Sequence, residues 1–365
     1  MNIAVFLDGT WNEPHTNTNV IQLSERTQPA DSGGTRQVVV YRAGVGSKRG
    51  ERLRGGLFGY GLNEQIEEAY AAIAAAYTAP GDRLYLIGYS RGAFSARSLA
   101  GMIARCGIIR DEHLPVERVF KRYRRGKASP GLNEMQRGES APQDEEDRLV
   151  LERSTLARIR FIGVFDTVGS LGIPGGLFRP LVRRRYEFHD TKLSGLVDHA
   201  RHAVAIDEQR PHFEATLWDG VPKPIPGHTT TVVQRWFAGS HGNVGGGGTN
   251  LPETDNPLST IAREWLCDEA REAGLEIVPD PYPGQAWRGP LNDSYAAFGK
   301  GLFYKVVRWR KRLYRTIDTT VNGQELAPAA ARRYRELPDY RPRMNPGFDD
   351  ALARAPISSD SAVDP

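Results

Sequence analysis

Arg83-Leu84-Tyr85-Leu86-Ile87-Gly88-Tyr89-Ser90-Arg91-Gly92-Ala93, continuing to Arg97, decides how this 365-residue chain is read. An apolar run runs straight into a G-x-S-x-G pentapeptide, and a helical segment follows, which is the strand–turn–helix setting of a nucleophile elbow. At so sharp a crossing the serine is held in a strained backbone conformation. Gly88 and Gly92 flank it because β-carbons on its close neighbours have no room. The strain lifts the Ser90 hydroxyl clear of the sheet, at the positive end of a helix that begins near Arg91. In a chain with 39 glycines the pentapeptide alone is weak evidence, and the strand before and helix after make it specific.

A serine nucleophile needs a base and an acid, and both lie downstream in the order Ser, acid, His that belongs to α/β-hydrolases. Asp166 ends the apolar run Ile159-Arg160-Phe161-Ile162-Gly163-Val164-Phe165, at the carboxyl edge where open α/β sheets place their chemistry. His241 follows the run Thr230 to Phe237 in the glycine-rich loop Ala238-Gly239-Ser240-His241-Gly242-Asn243-Val244-Gly245. His15, His113, His189 and His228 lie in polar or proline-flanked stretches, and His199, His202 and His212 surround another strand-like segment, where a hydrogen-bonded structural histidine is expected. Asp207 is the alternative acid, since it closes the segment His202 to Ile206; its neighbours suggest a charged turn in which it pairs with Arg210.

The opening strand Asn2 to Leu7 leads into Asp8-Gly9-Thr10. A phosphatase of the D-x-D-G-T type would need an aspartate where Phe6 stands, so no phosphoenzyme can form and that reading fails. The loop instead fits the second half of an oxyanion hole, with the Arg91 N–H as one donor and the N–H of Gly9 or Thr10 as the other. Asp8 is expected to organise the loop by accepting backbone hydrogen bonds.

Taken together, Phe6-Leu7-Asp8-Gly9-Thr10-Trp11-Asn12, Gly44-Val45-Gly46, the Gly88–Ala93 elbow, Gly163 to Val168, Ala203 to Glu208 and Trp236 to Gly247 resemble the catalytic domain of the first class of type VI secretion lipase effectors and their standalone bacterial relatives, with a weaker echo at Tyr340-Arg341-Pro342. The resemblance implies an α/β-hydrolase domain that cuts ester bonds, in the effectors those of phospholipids, with Ser90, Asp166 and His241 at the triad positions. Two departures stand out. Asn243 occupies a position where relatives carry aspartate, and at 365 residues the chain is expected to lack the effectors' large membrane-docking portion.

Composition fits a globular protein, with 39% hydrophobic and 25% charged residues. Strands expected at 2–7, 37–42, 83–88, 158–165, 202–206 and 230–237 alternate with helices at 62–78, 91–106 and 258–273. That pattern is a mostly parallel central sheet flanked by helices, in one domain over residues 1–348. Residues 111–157 change character: Lys121-Arg122-Tyr123-Arg124-Arg125 precedes Asp144-Glu145-Glu146-Asp147, a polar insertion expected to be solvated and a candidate cap. Gly169, Leu171, Ile173, Pro174, Leu177, Phe178 and Leu181 make a second candidate cover, suited either to an acyl chain or to packing. Leu302, Val306, Trp309, Leu313 and Ile317 share one face of a basic helical pattern whose Lys305, Arg308, Lys311, Arg312 and Arg315 lie elsewhere. It reads as a docked helix with its cations in water, with peripheral membrane contact as the alternative. From about residue 349 a flexible tail to 365 is expected.

No run of 18 apolar residues spans a bilayer, and no basic leader with a small-residue cleavage site opens the chain. The two cysteines, Cys106 and Cys267, read as core residues, so a cytoplasmic, reducing setting is expected, with delivery by a specialised secretion system left open. No Cys/His cluster has zinc spacing, no nucleic-acid motif accompanies the formal charge of +4, and no cofactor or metal is expected. The expected activity is a serine carboxylic-ester hydrolase on a small-molecule or lipid ester. The alternatives are a silent hydrolase-like module binding a protein or membrane surface, and a thioesterase or peptidase on the same triad.

Overall fold

The computed structural model describes residues 1–9, 12, 14–44, 58–111, 114–169, 193–220, 222, 225, 227–247, 256–281, 284–298 and 312–356. Its strands, in chain order, are β1 (Asn2–Leu7), β2 (Gln37–Arg42), β3 (Arg83–Tyr89), β4 (Ile108–Ile109), β5 (Ser154–Thr155), β6 (Ile159–Phe165), β7 (Val197–Ala205), β8 (Thr231–Phe237) and β9 (Gln324–Leu326). Seven of these form one sheet in the order β2-β1-β3-β6-β7-β8-β9, with every neighbouring pair parallel. β4 and β5 pair antiparallel outside it. The α/β class is as expected.

Parallel strands buried on both faces need helices on each side. On one face Ile3, Val5, Leu7, Leu84 and Leu86 pack under α2 (Phe58–Ala76) and α3 (Arg91–Cys106). On the other, Ala4, Phe6, Tyr85, Ile87 and Phe161 pack against residues of α1 (Asn19–Arg26) and of a helix at Pro257–Glu272. Alternate residues of β1 thus feed opposite cores, as the period of two along a strand requires. Chain order reverses between β1 and β3, so the crevice for chemistry lies beyond their carboxyl ends.

Three expectations need correction. β7 starts at Val197 rather than 202, because Asp198, His199 and Arg201 break its apolar run yet are satisfied in place: Asp198 by Arg158 and Arg160, Arg201 by Glu269. The polar insertion is folded rather than solvated. It forms α4 (Val116–Tyr123), α5 (Leu132–Gln136) and α6 (Glu145–Arg153), whose Phe120, Tyr123, Leu132, Met135 and Val150 join the α2/α3 core.

Arg122 and Asp147, drawn from the two opposed charge blocks, are fully buried and meet at 2.8 Å. The remaining Arg122 nitrogens reach Pro130 O at 2.6 Å and Cys106 Sγ at 3.4 Å. These contacts hold the insertion to the C-terminal end of α3. With 16 residues in α3, that is roughly 24 Å along the helix from Ser90. The described part of the insertion is thereby tied to the helix at the end far from Ser90.

Breaking a buried ion pair leaves an uncompensated charge. Arg122→Met is expected to lower unfolding free energy by about 3–5 kcal/mol, and Arg122→Met/Asp147→Leu to recover most of it. Denaturant midpoints check this, and a single variant within about 1 kcal/mol of the parent would contradict it.

The third correction is at the C-terminus. Residues 349–355 are not a free tail, because α11 (Phe348–Arg354) and the residue after it dock through Phe348, Ala351 and Ala355, whereas 357–365 lie outside the described residues. Among the described residues, the α-helices between α6 and α11 are α7 (His241–Gly245), α8 (Pro257–Glu272), α9 (Ser294–Phe298) and α10 (Pro328–Glu336).

Candidate active site

Ser90 sits between β3 and α3 with φ 58° and ψ −118°, the left-handed-side backbone that an elbow demands of a residue with a β-carbon. The glycines at either end of the pentapeptide are sterically obligatory. A β-carbon on Gly92 would lie 2.1 Å from the Leu7 carbonyl oxygen, and one on Gly88 2.5 Å from the Gly92 oxygen. The Ser90 amide donates to Phe165 O at 3.0 Å, tying the elbow to the end of β6.

From that same end comes Asp166, also at positive φ (39°), and from the end of β8 comes His241, the first residue of α7. His241 Nε2 lies 2.8 Å from Ser90 Oγ, and His241 Nδ1 lies 2.6 Å from Asp166 Oδ2. All three are buried, with Ser90 and His241 each 6% exposed and Asp166 at 0%. The imidazole is held between two rings: Tyr89, with centroids 4.8 Å apart, and Phe213, edge-on at 5.0 Å. Its backbone N–H donates to Glu208 Oε2 at 3.2 Å.

Asp207 has another partner set. Its Oδ2 accepts from the Gly239 N–H at 2.7 Å and the Tyr340 hydroxyl at 3.1 Å, so it anchors the start of the loop that delivers His241. The expected Asp207–Arg210 pair is replaced by Glu208, which takes Arg210 Nε and Nη2 at 2.8 and 2.9 Å. One residue of strand register decides this, because neighbours at a strand end point to opposite sides.

Asn243 is spent on structure, with Nδ2 donating to Asn256 Oδ1 (3.0 Å) and Pro290 O (3.3 Å). Its Oδ1 accepts from Ser240 N and Asn292 N, at 3.2 and 3.0 Å. An aspartate there would face two acceptor oxygens, which explains why an amide suits this chain.

Arg91, expected as an oxyanion donor, opens α3, where amides have no intrahelical acceptor. The Gly9 N–H donates instead to Asp8 Oδ1 at 2.7 Å, so the expected role for that amide is not what the structure displays. Thr10 lies outside the described residues. Asp8 organises the region, accepting also from Thr18 Oγ1 (2.6 Å), Tyr41 OH (3.0 Å) and Asn12 Nδ2 (3.3 Å). Burial still raises its carboxyl pKa against these four donors. His202 is the structural histidine expected: Nε2 accepts from Thr167 N at 3.0 Å, and burial pushes it down to about 3.

Sequence reasoning missed Arg315. The amphipathic helix expected over 302–317 is not formed in its described part, where residues 312–318 run without helix. Residues 299–311, with Leu302, Lys305, Val306, Arg308, Trp309 and Lys311, lie outside the described residues. So do Leu171, Ile173, Pro174, Leu177, Phe178 and Leu181 of the second candidate cover.

Arg315 is only 4% exposed and places Nη1 2.6 Å from Asp166 Oδ1 and Nη2 3.1 Å from Oδ2. Burial alone would raise the Asp166 carboxyl, but the Arg315 charge and the His241 hydrogen bond hold it far below the usual carboxylate range. The His241 imidazole is lowered, first by burial, with Asp166 pulling the other way. A basic run of this kind carries no local signal that one member turns inward.

Residues 1–269 match the family model described as T6SS, Phospholipase effector Tle1-like, catalytic domain. The chain belongs to this Tle1-like family. The resemblance read from the motifs is thereby shown, and Ser90, Asp166 and His241 all fall inside the matched span, whereas Arg315 lies beyond it. A relative in Saccharomyces cerevisiae, an uncharacterized protein, is 31% identical over 239 residues, covering 60% of this Tle1-like chain and 33% of its own length. The chain thus spans about a third of that relative.

Among solved structures, the Tle1 effector bound to the VgrG spike from the type 6 secretion system aligns with a TM-score of 0.47 at 15% identity, over 84% of this chain and 79% of that one. An uncharacterized protein from Pseudomonas aeruginosa aligns with a TM-score of 0.43 at 18% identity, over 84% and 52%. No helix among the described residues is long and apolar enough to cross a membrane.

Proposed function

We propose that this Tle1-like chain is a serine carboxylic-ester hydrolase acting on a lipid-like ester through an acyl-enzyme. The observation that carries the reading is the unbroken run Ser90 Oγ, His241 Nε2, His241 Nδ1, Asp166 Oδ2, at 2.8 and 2.6 Å, with Ser90 at an elbow. Membership of a family described for phospholipase effectors supports a lipid ester as the substrate class.

In this mechanism His241 Nε2 takes the Ser90 proton as Oγ bonds to the ester carbonyl carbon, and the Arg91 N–H faces the oxyanion. The imidazolium, with its Nδ1–H on Asp166, returns the proton to the leaving alkoxide as the ester C–O bond breaks. Water, deprotonated by the same Nε2, then attacks the acyl-enzyme. The acid is released and the Oγ proton restored.

A fluorophosphonate probe followed by peptide mapping tests the proposal. Ser90 is expected to carry the label, and phospholipid vesicles to release fatty acid. An unlabelled Ser90 together with no turnover of p-nitrophenyl or phospholipid esters would leave the silent binding module instead.

A further inference from the structure

Asp166 is held by more than the imidazole. Its Oδ1 accepts from the Ala205 N–H at 2.9 Å and from Arg315 Nη1 at 2.6 Å, while Oδ2 accepts from His241 and from Arg315 Nη2. Arg315 spends its other terminal N–H groups on two carbonyls, Ala205 O at 2.7 Å and Phe213 O at 2.5 Å. The fork therefore joins three parts of the site: the acid at the end of β6, the end of β7, and the Phe213 segment whose ring packs edge-on to His241.

The arginine is fixed in its turn. Asn345 Nδ2 donates to the Arg315 carbonyl at 3.1 Å and to Ile206 O at 3.0 Å, and Ile317 N donates to Pro346 O at 2.9 Å.

A guanidinium presents planar paired donors that match both oxygens of a carboxylate, and it stays charged when buried. A catalytic aspartate needs neither property to accept one hydrogen bond from an imidazole, and here the bidentate cation comes on top of a backbone donor. We propose that Arg315 is a positioning residue for the site: its fork locks Asp166 in the rotamer that presents Oδ2 to His241 and sets a fixed positive charge behind the Ser90–His241–Asp166 relay. The C-terminal segment, beyond the matched family span, then completes the machinery.

The charged and titratable groups around His241 set the sign of the effect. Asp166 and Arg315 lie behind Nδ1; Glu208, paired with Arg210, takes the backbone N–H; Tyr89 covers one ring face; Asp207 sits on the Gly239 amide. Two of these are cations, and a cation one carboxylate away disfavours the imidazolium. Removing Arg315 therefore raises the His241 pKa. The acid limb of kcat/KM, where His241 must be neutral, then moves to higher pH by on the order of one unit.

The kinetic part rests on the ester-hydrolase reading, whereas an NMR titration of the His241 imidazole stands without it. In Arg315→Met, the imidazole pKa is expected to rise by about one unit, with kcat down about 10²-fold and KM within about threefold. In Arg315→Lys, which keeps the charge and loses the fork, less than half of the pKa shift but still about a tenfold loss of kcat is expected. An unmoved His241 pKa and a kcat within threefold of the parent in Arg315→Met overturn the proposal. Should that variant fail to fold, an unchanged kcat in Arg315→Lys does so. If the imidazole shifts in Arg315→Met while the parent protein neither labels nor turns over ester, the positioning role stands and the hydrolase reading fails.

Discussion

Ser90→Ala is expected to lower kcat for a p-nitrophenyl ester by about 10⁴-fold or more, with little change in KM and a fold that survives intact. The magnitude follows from losing the acyl-enzyme altogether: without Oγ, only binding and the oxyanion donor remain to assist water. The fold survives because the elbow's strain is a property of its backbone, φ 58° at residue 90, and of the glycines around it, none of which the change touches. His241 Nε2 loses one partner, a cost of about 1–2 kcal/mol. Stopped assays with active-site titration would measure the loss. Turnover within tenfold of the parent would place the nucleophile elsewhere.

The second large effect separates the two aspartates. Asp166→Asn is expected to lower kcat by about 10³–10⁴-fold, because an amide in place of Oδ2 no longer enforces the tautomer with hydrogen on Nδ1. It also strips Arg315 of its counter-charge, so a stability loss of about 3–5 kcal/mol should accompany it. Asp207→Asn keeps an oxygen for the Gly239 N–H and the Tyr340 hydroxyl, and kcat should stay within about tenfold. Steady-state kinetics alongside thermal melts of both variants would decide it. Equal kinetic losses in the two would overturn the assignment of Asp166 to the relay.

Much of this site was legible because its determinants are local. The elbow needs glycine at 88 and 92 for steric reasons confined to one turn, and Asp166 and His241 each follow an apolar strand at the sheet's carboxyl edge. Strand ends in a parallel sheet converge on one rim, so chain order and strand ends sufficed to name the serine, the histidine and two candidate acids. Whether Asp166 or Asp207 meets the imidazole was not legible. Asp166 directly follows β6 and Asp207 lies just past β7, and the choice rests on which of these two strand-end turns aims its carboxylate at the imidazole and which at the Gly239 amide.

Charge was the poorest guide. Arg122 and Asp147 sit in runs that read as solvated, yet each is fully buried against the other. Arg315, in a run of lysines and arginines, travels 149 residues back along the chain to reach Asp166. A charged side chain has the same local sequence whether it ends in water or in a matched pair, and only the distant partner makes burial tolerable. β9, three residues long, was invisible for a related reason, since its place in the sheet comes from β8 rather than from its own pattern.

The chain's own order of residues therefore determined the alternation of strands and helices, the strained serine turn, and the serine and histidine at the rim, all through sterics and periodicity acting over a few residues. Tertiary structure alone decided which aspartate receives the imidazole, that the charged insertion packs on the far end of α3, and that an arginine from the C-terminal segment pairs with that aspartate. Those outcomes depend on long-range pairing of buried charges, and Coulomb energy and desolvation are settled by what finally surrounds a group, not by its neighbours in sequence.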